Sequence, residues 1–239
     1  MFFKMRSFTS FRMTFIIWVS CLLFIACGPS LQEVVKETEL SPAFKHNQEK
    51  IHSFRGVARV FFSFGKKKGS VEVLVVSEKP DHLRMETGNF FGVPLSVLTI
   101  YQGKVTYYVI PEEKYYVGEA KEQVTQQFLP FELTEENIFG LIYFSQKTYD
   151  FFKHHKRFQL DFYEVKEKEE LKLFYPRGFK LTDKKTKDTV EWRWDAYDLN
   201  PPKFSSMHFK IEKPAQARWI DLRGAHKTSP IFKGEEESE

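Results

Sequence analysis

The chain lacks an apolar run long enough to cross a bilayer. Its main one covers residues 13–27 (MTFIIWVSCLLFIAC), short of the roughly twenty residues a spanning helix needs. That length disfavours an uncleaved anchor helix. Cysteine is nearly absent, with 2 in 239 residues. Cys21 lies inside the apolar run, so removal of the run leaves Cys27 alone. No disulfide can then form within one molecule, and no cysteine-based metal site is available. An excess of one charge is missing too. The formal charge is +4, but taking the three basic residues ahead of Cys27 from the 36 in the chain leaves 33 against 32 acidic ones. A nearly neutral chain lacks the usual electrostatic footprint of nucleic-acid binding, and no such partner is expected.

Recognisable catalytic motifs are missing as well. There is no GxSxG elbow, HExxH, P-loop or CxxC. His154 and His155 are adjacent; on a strand they point to opposite faces and cannot chelate one metal together, so a polar loop or strand edge is the reading. Most carboxylates alternate with apolar residues, which marks a solvated face. Nothing local supplies the two carboxylates in one cleft that a glycosidase needs. No catalytic residue, metal or cofactor is expected, and the chain is read as not an enzyme.

What is present begins with an address. Lys4, Arg6 and Arg12 precede the apolar run, and the small residue Ala26 closes it. A basic segment, an apolar run and a small residue form the pattern of a secretory signal peptide. Cys27 follows directly, which resembles the lipobox of bacterial lipoproteins, with Phe24 where leucine is usual. The resemblance implies cleavage before Cys27, acylation of its sulfur, and an exported domain tied to a membrane by lipid. The expected organisation is a signal peptide over 1–26, a lipidated tether over 27–42, a folded domain over 43–224 and an acidic disordered tail over 225–239.

Aromatic residues are plentiful, at 17% with 26 Phe. They fit either a tightly packed aromatic core or an apolar cavity, and composition alone favours packing. A short helix is expected over 45–52. Strands follow from period-two alternation over 54–64, 71–77, 82–87, 93–101, 104–110 and 114–117. In the first, Ala58, Val60, Phe62 and Phe64 share one face, opposite Arg59 and Ser63. GKKKG over 65–69 is a hairpin tip. Two short helices are expected over 121–128 and 134–143, the second capped by Thr134 with Glu135 and Glu136 in its first turn. Strands resume over 157–163, 171–175, 179–182, 189–199, 204–213 and 217–222. Many short strands interrupted by two helices argue for an antiparallel sheet curled into a barrel or half-barrel, with helices over one opening.

The segment GNFFG over 88–92 is turn chemistry around two bulky rings. Turns are normally polar and at the surface, so Phe90 and Phe91 are either tucked into the core or deliberately exposed. The local pattern favours tucking in.

The order of these segments resembles the LolB family of outer-membrane lipoprotein receptors and LolB-like lipoproteins. The resemblance is carried by FRGVARVFF, DHLRMETGNFFGVPLSVLTI, VTYYV with EEKYYVG, LTEENIFGLIYF, and FKLTDKKTKDTVEWRWDAYDLNPPKFSSMHFKIEKPAQARWIDL, over roughly residues 46–222. It implies a mainly β fold, an incomplete antiparallel β-barrel of the LolA/LolB-like half-barrel kind, with a short helical lid and a cavity for acyl chains. It implies receipt of lipoproteins from a periplasmic LolA-like carrier and their insertion into the outer membrane. The family's exposed leucine sits in an Asn-Pro-Leu-Gly loop. Asn89, Phe90, Phe91 and Gly92 stand at the matching positions, so Phe91 takes the leucine's place and the loop is expected to be exposed and membrane-inserting. The expected acyl-chain cavity is lined by Val60, Phe62, Val73, Val75, Leu83, Met85, Leu98, Ile138 and Leu141. Gly28 after Cys27, where the inner-membrane retention signal is Asp, favours a lipid anchor in the outer membrane, facing the periplasm; the protein is expected to be a monomer. The alternative is a LolB-like envelope lipoprotein that acts as a non-catalytic structural or interaction module with a filled cavity; a hydrolase ranks third.

Overall fold

The computed structural model describes residues 33–47, 50–89, 91–120, 131 and 133–222. The chain divides into two compact units, Met1–Glu33 and Val34–Glu239. Every described helix and strand belongs to the second, which has its own apolar core and so is a folding unit in its own right. Cys27, the signal and tail segments, Phe90 and the helix expected over 121–128 lie outside the described residues.

Six antiparallel strands come first. They are β1 (Ser53–Phe64), β2 (Lys67–Glu78), β3 (His82–Gly88), β4 (Pro94–Tyr101), β5 (Lys104–Val109) and β6 (Lys114–Glu119). The chain then passes through helices α2 (Glu135–Ile142) and α3 (Gln146–His154), and returns as β7 (Phe158–Lys168), β8 (Leu173–Asp183) and β9 (Thr189–Leu199). A last strand, β10 (Arg218–Asp221), pairs in parallel with β6. The sheet order is β10-β6-β5-β4-β3-β2-β1-β9-β8-β7. β9 pairs back onto β1, while β7 and β10 are left as the two edges. The result is an open, incomplete barrel with helices against its inner face, as the alternation of the strands implied.

Three local readings need correction. The first helix, α1 (Glu37–Asn47), starts eight residues before the expected one, within the stretch read as tether. Its buried residues Leu40, Ala43, Phe44 and Asn47 follow the i, i+3, i+4, i+7 spacing of an amphipathic helix; Pro42 and the surrounding charges hide that stripe. Asn47 ends it by donating from Nδ2 to the Phe174 carbonyl and accepting at Oδ1 from the Phe174 N–H at 2.9 Å. Just before α1, Val34 bridges Tyr163 on the free edge of β7.

β8 is one strand rather than two. Pro176 sits inside it, but only Gly178–Thr182 pair with β9, so Pro176 lies where that side of β8 has no paired strand, as strand prolines require. Gly178 is needed there: a Cβ would stand 2.3 Å from the Trp192 carbonyl oxygen.

Residues 204–213 do not form a strand. Ser206–Phe209 is a single 3₁₀ turn, with the Ser205 hydroxyl accepting from the Met207 N–H at 3.3 Å. Phe209 is buried against His82 and Tyr101, and Arg84 donates to the His208 carbonyl at 3.1 Å. His82 and Arg84 alternate with the inward Leu83, so this segment lies over the outer face of β3 and β4.

Candidate functional site

The inner face is assembled row by row. Across the sheet, Val75 faces Met85, Met85 faces Leu98, and Leu98 faces Tyr107. A neighbouring row runs from Ser77 through Leu83 and Ile100 to Val105. On the other side Ala58 lies between Val73 and Trp194, and Val60 between Val71 and Trp192. Val60, Val73, Val75, Leu83, Met85 and Leu98 are all buried in one apolar cluster with Ile138 and Leu141 of α2. Phe62 is half-buried and packs against it.

The two ends of this face differ. At the end bearing the β2–β3 turn, α2 packs in. Its Thr134 cap is as expected: the hydroxyl accepts from the Asn137 N–H at 3.1 Å. Tyr143 at its C-terminus shares a 2.8 Å hydrogen bond with Ser77; burial pushes its hydroxyl pKa up, opposed by that bond. The Tyr175 hydroxyl donates to the Ile142 carbonyl at 2.5 Å. At the opposite end, where the β1–β2 and β3–β4 hairpins turn, Phe62, Phe64, Val71, Val109 and Trp192 are only half-buried. These rows are therefore less deeply buried toward the hairpin end, where Phe131 packs on Phe64 and Phe158.

Two polar atoms on this wall have no partner among the described residues. They are the buried indole nitrogens of Trp192 and Trp194. An unpaired buried N–H costs roughly 1–3 kcal/mol, so each is a donor ready for an acceptor. A bulge brings the next aromatic onto the same face: Ala58 pairs with Trp194 but Val57 with Ala196. Asp195 is skipped, and Tyr197 packs on Tyr175 with ring centroids 4.8 Å apart. The alternation in Glu191-Trp192-Arg193-Trp194 marks the strand, but the sequence gives no sign that these indoles line the interior; that needs the β1–β9 pairing.

The loop over 89–93 stands at the same hairpin end. At Phe91 the local preference for a tucked-in ring is corrected, while Phe90 lies outside the described residues. Phe91 is 85% exposed and Val93 53%. The Asn89 Oδ1 accepts from the N–H groups of both Phe91 and Val93 at 3.0 Å, and the Gly92 N–H donates to the Asn89 carbonyl at 2.9 Å. The backbone is tied down while the side chain of Phe91 projects.

A separate cleft of about 820 Å³ lies at the other end, among α1, the β2–β3 turn, α2 and α3. Phe44, Phe139, Tyr143 and Phe144 line it, with Lys79, Glu135, Glu136 and Lys147 also around it. Lys79 lies over the Tyr143 ring at 4.8 Å, and Lys147 pairs with Glu136. Burial, and then the Asp81 charge, push the Glu135 carboxyl pKa up. None of the expected cavity residues lines this cleft.

Comparisons with known proteins place the architecture. No protein-family model matches the chain, and no curated protein matches it in sequence. Solved structures do. A DUF1329 family protein from Desulfovibrio piger ATCC 29098 is 11% identical with a TM-score of 0.50, over 72% of this chain and 95% of its own. A putative outer membrane lipoprotein-sorting protein domain from Vibrio parahaemolyticus is 10% identical with a TM-score of 0.46, over 72% and 94%. A LolA superfamily protein from Nitrosomonas europaea is 8% identical with a TM-score of 0.41, over 74% and 98%. At 11% identity the likeness to the DUF1329 family protein is one of fold.

Proposed function

We propose that this chain is a lipid-anchored protein of the outer membrane, facing the periplasm, that handles the acyl chains of lipoproteins. In this reading it accepts them from a LolA-like carrier at the open end of the half-barrel and releases them into the bilayer. The observation that carries it is Phe91, 85% exposed on a hydrogen-bonded loop, at the end where the inner face is half-exposed. Each buried CH₂ of an acyl chain gains about 0.8 kcal/mol, so such chains need a shield to cross water. Half-buried Phe62, Phe64, Val71 and Val109 offer one. The unpaired indole N–H groups of Trp192 and Trp194 suit the carbonyl oxygen of an ester or amide linkage. No covalent step and no cofactor is needed.

The test is delivery by the full-length lipidated protein. Phe91→Glu should cut transfer of an acylated protein into bilayers about tenfold or more, since a charge at an apolar insertion point opposes entry. Its unfolding midpoint should stay that of the native chain. Unchanged transfer would reduce the loop to a structural role.

A second reading, a non-catalytic interaction module, has its own support. The deep half of the inner face is filled by Ile138 and Leu141, and the 820 Å³ cleft lies away from it. Native mass spectrometry of the full chain discriminates: retained lipid favours acyl-chain handling, and a lipid-free protein with a partner crosslinked from the cleft favours the module.

A further inference from the structure

The chain is close to electrically neutral once its leader is set aside, yet its lysines are not evenly spread. Lys66 sits in the β1–β2 turn with Lys67 and Lys68 opening β2, and Lys184, Lys185 and Lys187 occupy the β8–β9 turn; all six are exposed. The two turns are neighbours: Ser63 pairs with both Lys68 and Thr189, and the Gly65 N–H donates to Asp188 Oδ1 at 2.8 Å. Lys184 donates to the His155 carbonyl at 2.7 Å. The other five have no ion pair among the described residues. The nearby carboxylates are otherwise engaged. Asp183 is held by Arg157 at 2.7 Å and by the N–H groups of Lys185 and Thr186. Asp188 accepts from Gly65 and from the Thr186 hydroxyl. On the same end, the β5–β6 turn brings Glu112, paired with Lys114 at 2.6 Å, and Glu113.

The exposed apolar residues Phe91 and Val93 lie on this end as well. Gly88, where their hairpin begins to turn, sits opposite Glu72, five residues back from Lys67. Strands of a barrel are inclined to its axis, so ends staggered along the strands can meet one flat surface. Lysines on the same end as exposed apolar residues match a bilayer better than a nucleic acid.

We infer that the hairpin end is a docking surface for an anionic lipid bilayer, on which Lys66, Lys67, Lys68, Lys185 and Lys187 hold phosphate headgroups around the inserted Phe91. This deepens the proposed function by naming the surface it delivers to. Its electrostatic part is separable from acyl-chain binding.

The test uses the chain from Gly28 onward, which keeps the whole folding unit and omits the lipid. Co-sedimentation is measured with vesicles of phosphatidylcholine alone and of phosphatidylcholine mixed with phosphatidylglycerol. The native chain should sediment with the mixed vesicles and be released by high salt. Replacing the five lysines by Gln should lower that partition about tenfold or more, with the unfolding midpoint unchanged. Equal partition of native and variant chains overturns the proposal. So does a native chain that ignores both vesicles but is retained by heparin. The vesicles hold no lipoprotein, and the variant's affinity for a fluorescent fatty acid is measured in parallel. Loss of vesicle binding with that affinity intact upholds the docking surface; absence of acyl binding in both chains counts only against the acyl-chain reading.

Discussion

Trp192 and Trp194 are the residues on which the chemistry of the inner face turns. A buried indole N–H without an acceptor is a cost to the empty protein, and it is recovered when a carbonyl oxygen arrives. Replacing both by Phe keeps an aromatic ring at each position and removes both donors. The recovered donor cost and the lost ring packing oppose each other, so the double variant should stay within about 2 kcal/mol of the native chain in urea unfolding. It should bind an acyl ester a few-fold more weakly than the native chain, while a plain hydrocarbon probe should bind both alike. Equal loss for both probes would show that the indoles act by packing alone. The sequence displays the alternation of Val190, Trp192 and Trp194, and from it a strand. Their place beside Val60 and Ala58 rests on pairing between β9 and β1, more than a hundred residues apart in the chain, which no local pattern encodes.

Elements read most clearly where one period dominates. β1, β3 and β5 alternate because one face is buried and the other more exposed, whereas β4 is buried on both faces from Ser96 to Ile100; the bounds of β1 to β6 follow within a few residues. α2 is announced by Thr134 and two glutamates. α3 is not: only Thr148 and Phe152 are buried in it, too few to mark a stripe. Its contact with α2 depends on Gly140, where a Cβ would stand 1.7 Å from the Thr148 hydroxyl oxygen. Gly140→Ala should therefore destabilise by about 1–3 kcal/mol through overpacking, measured by urea unfolding. Adding Thr148→Ala should recover part of the loss. A neutral Gly140→Ala would mean that α2 and α3 can separate freely. The exposure of Phe91 was expected only from the family resemblance, since the local residues favour burial of the rings.

At the scale of the molecule, the fold was legible and the location of its openings was not. The count and spacing of strands point to a curled antiparallel sheet; whether helices fill it depends on where the long connection from β6 to β7 crosses. The bridge from Val34 to Tyr163 adds a mechanical consequence. With Cys27 acylated, the chain from Cys27 to Val34 is a leash of at most about 25 Å. From Tyr163 to Phe158, at the hairpin end of β7, is about 17 Å along the strand, whereas β1 with its 12 residues is about 40 Å long. The leash is long enough to let the hairpin end rest on the bilayer. Deleting residues 31–33 should lift that end away, seen as loss of Phe91-dependent transfer with the protein still anchored. A lipid at one point and an aromatic ring at another would then share the work of holding the domain at the bilayer.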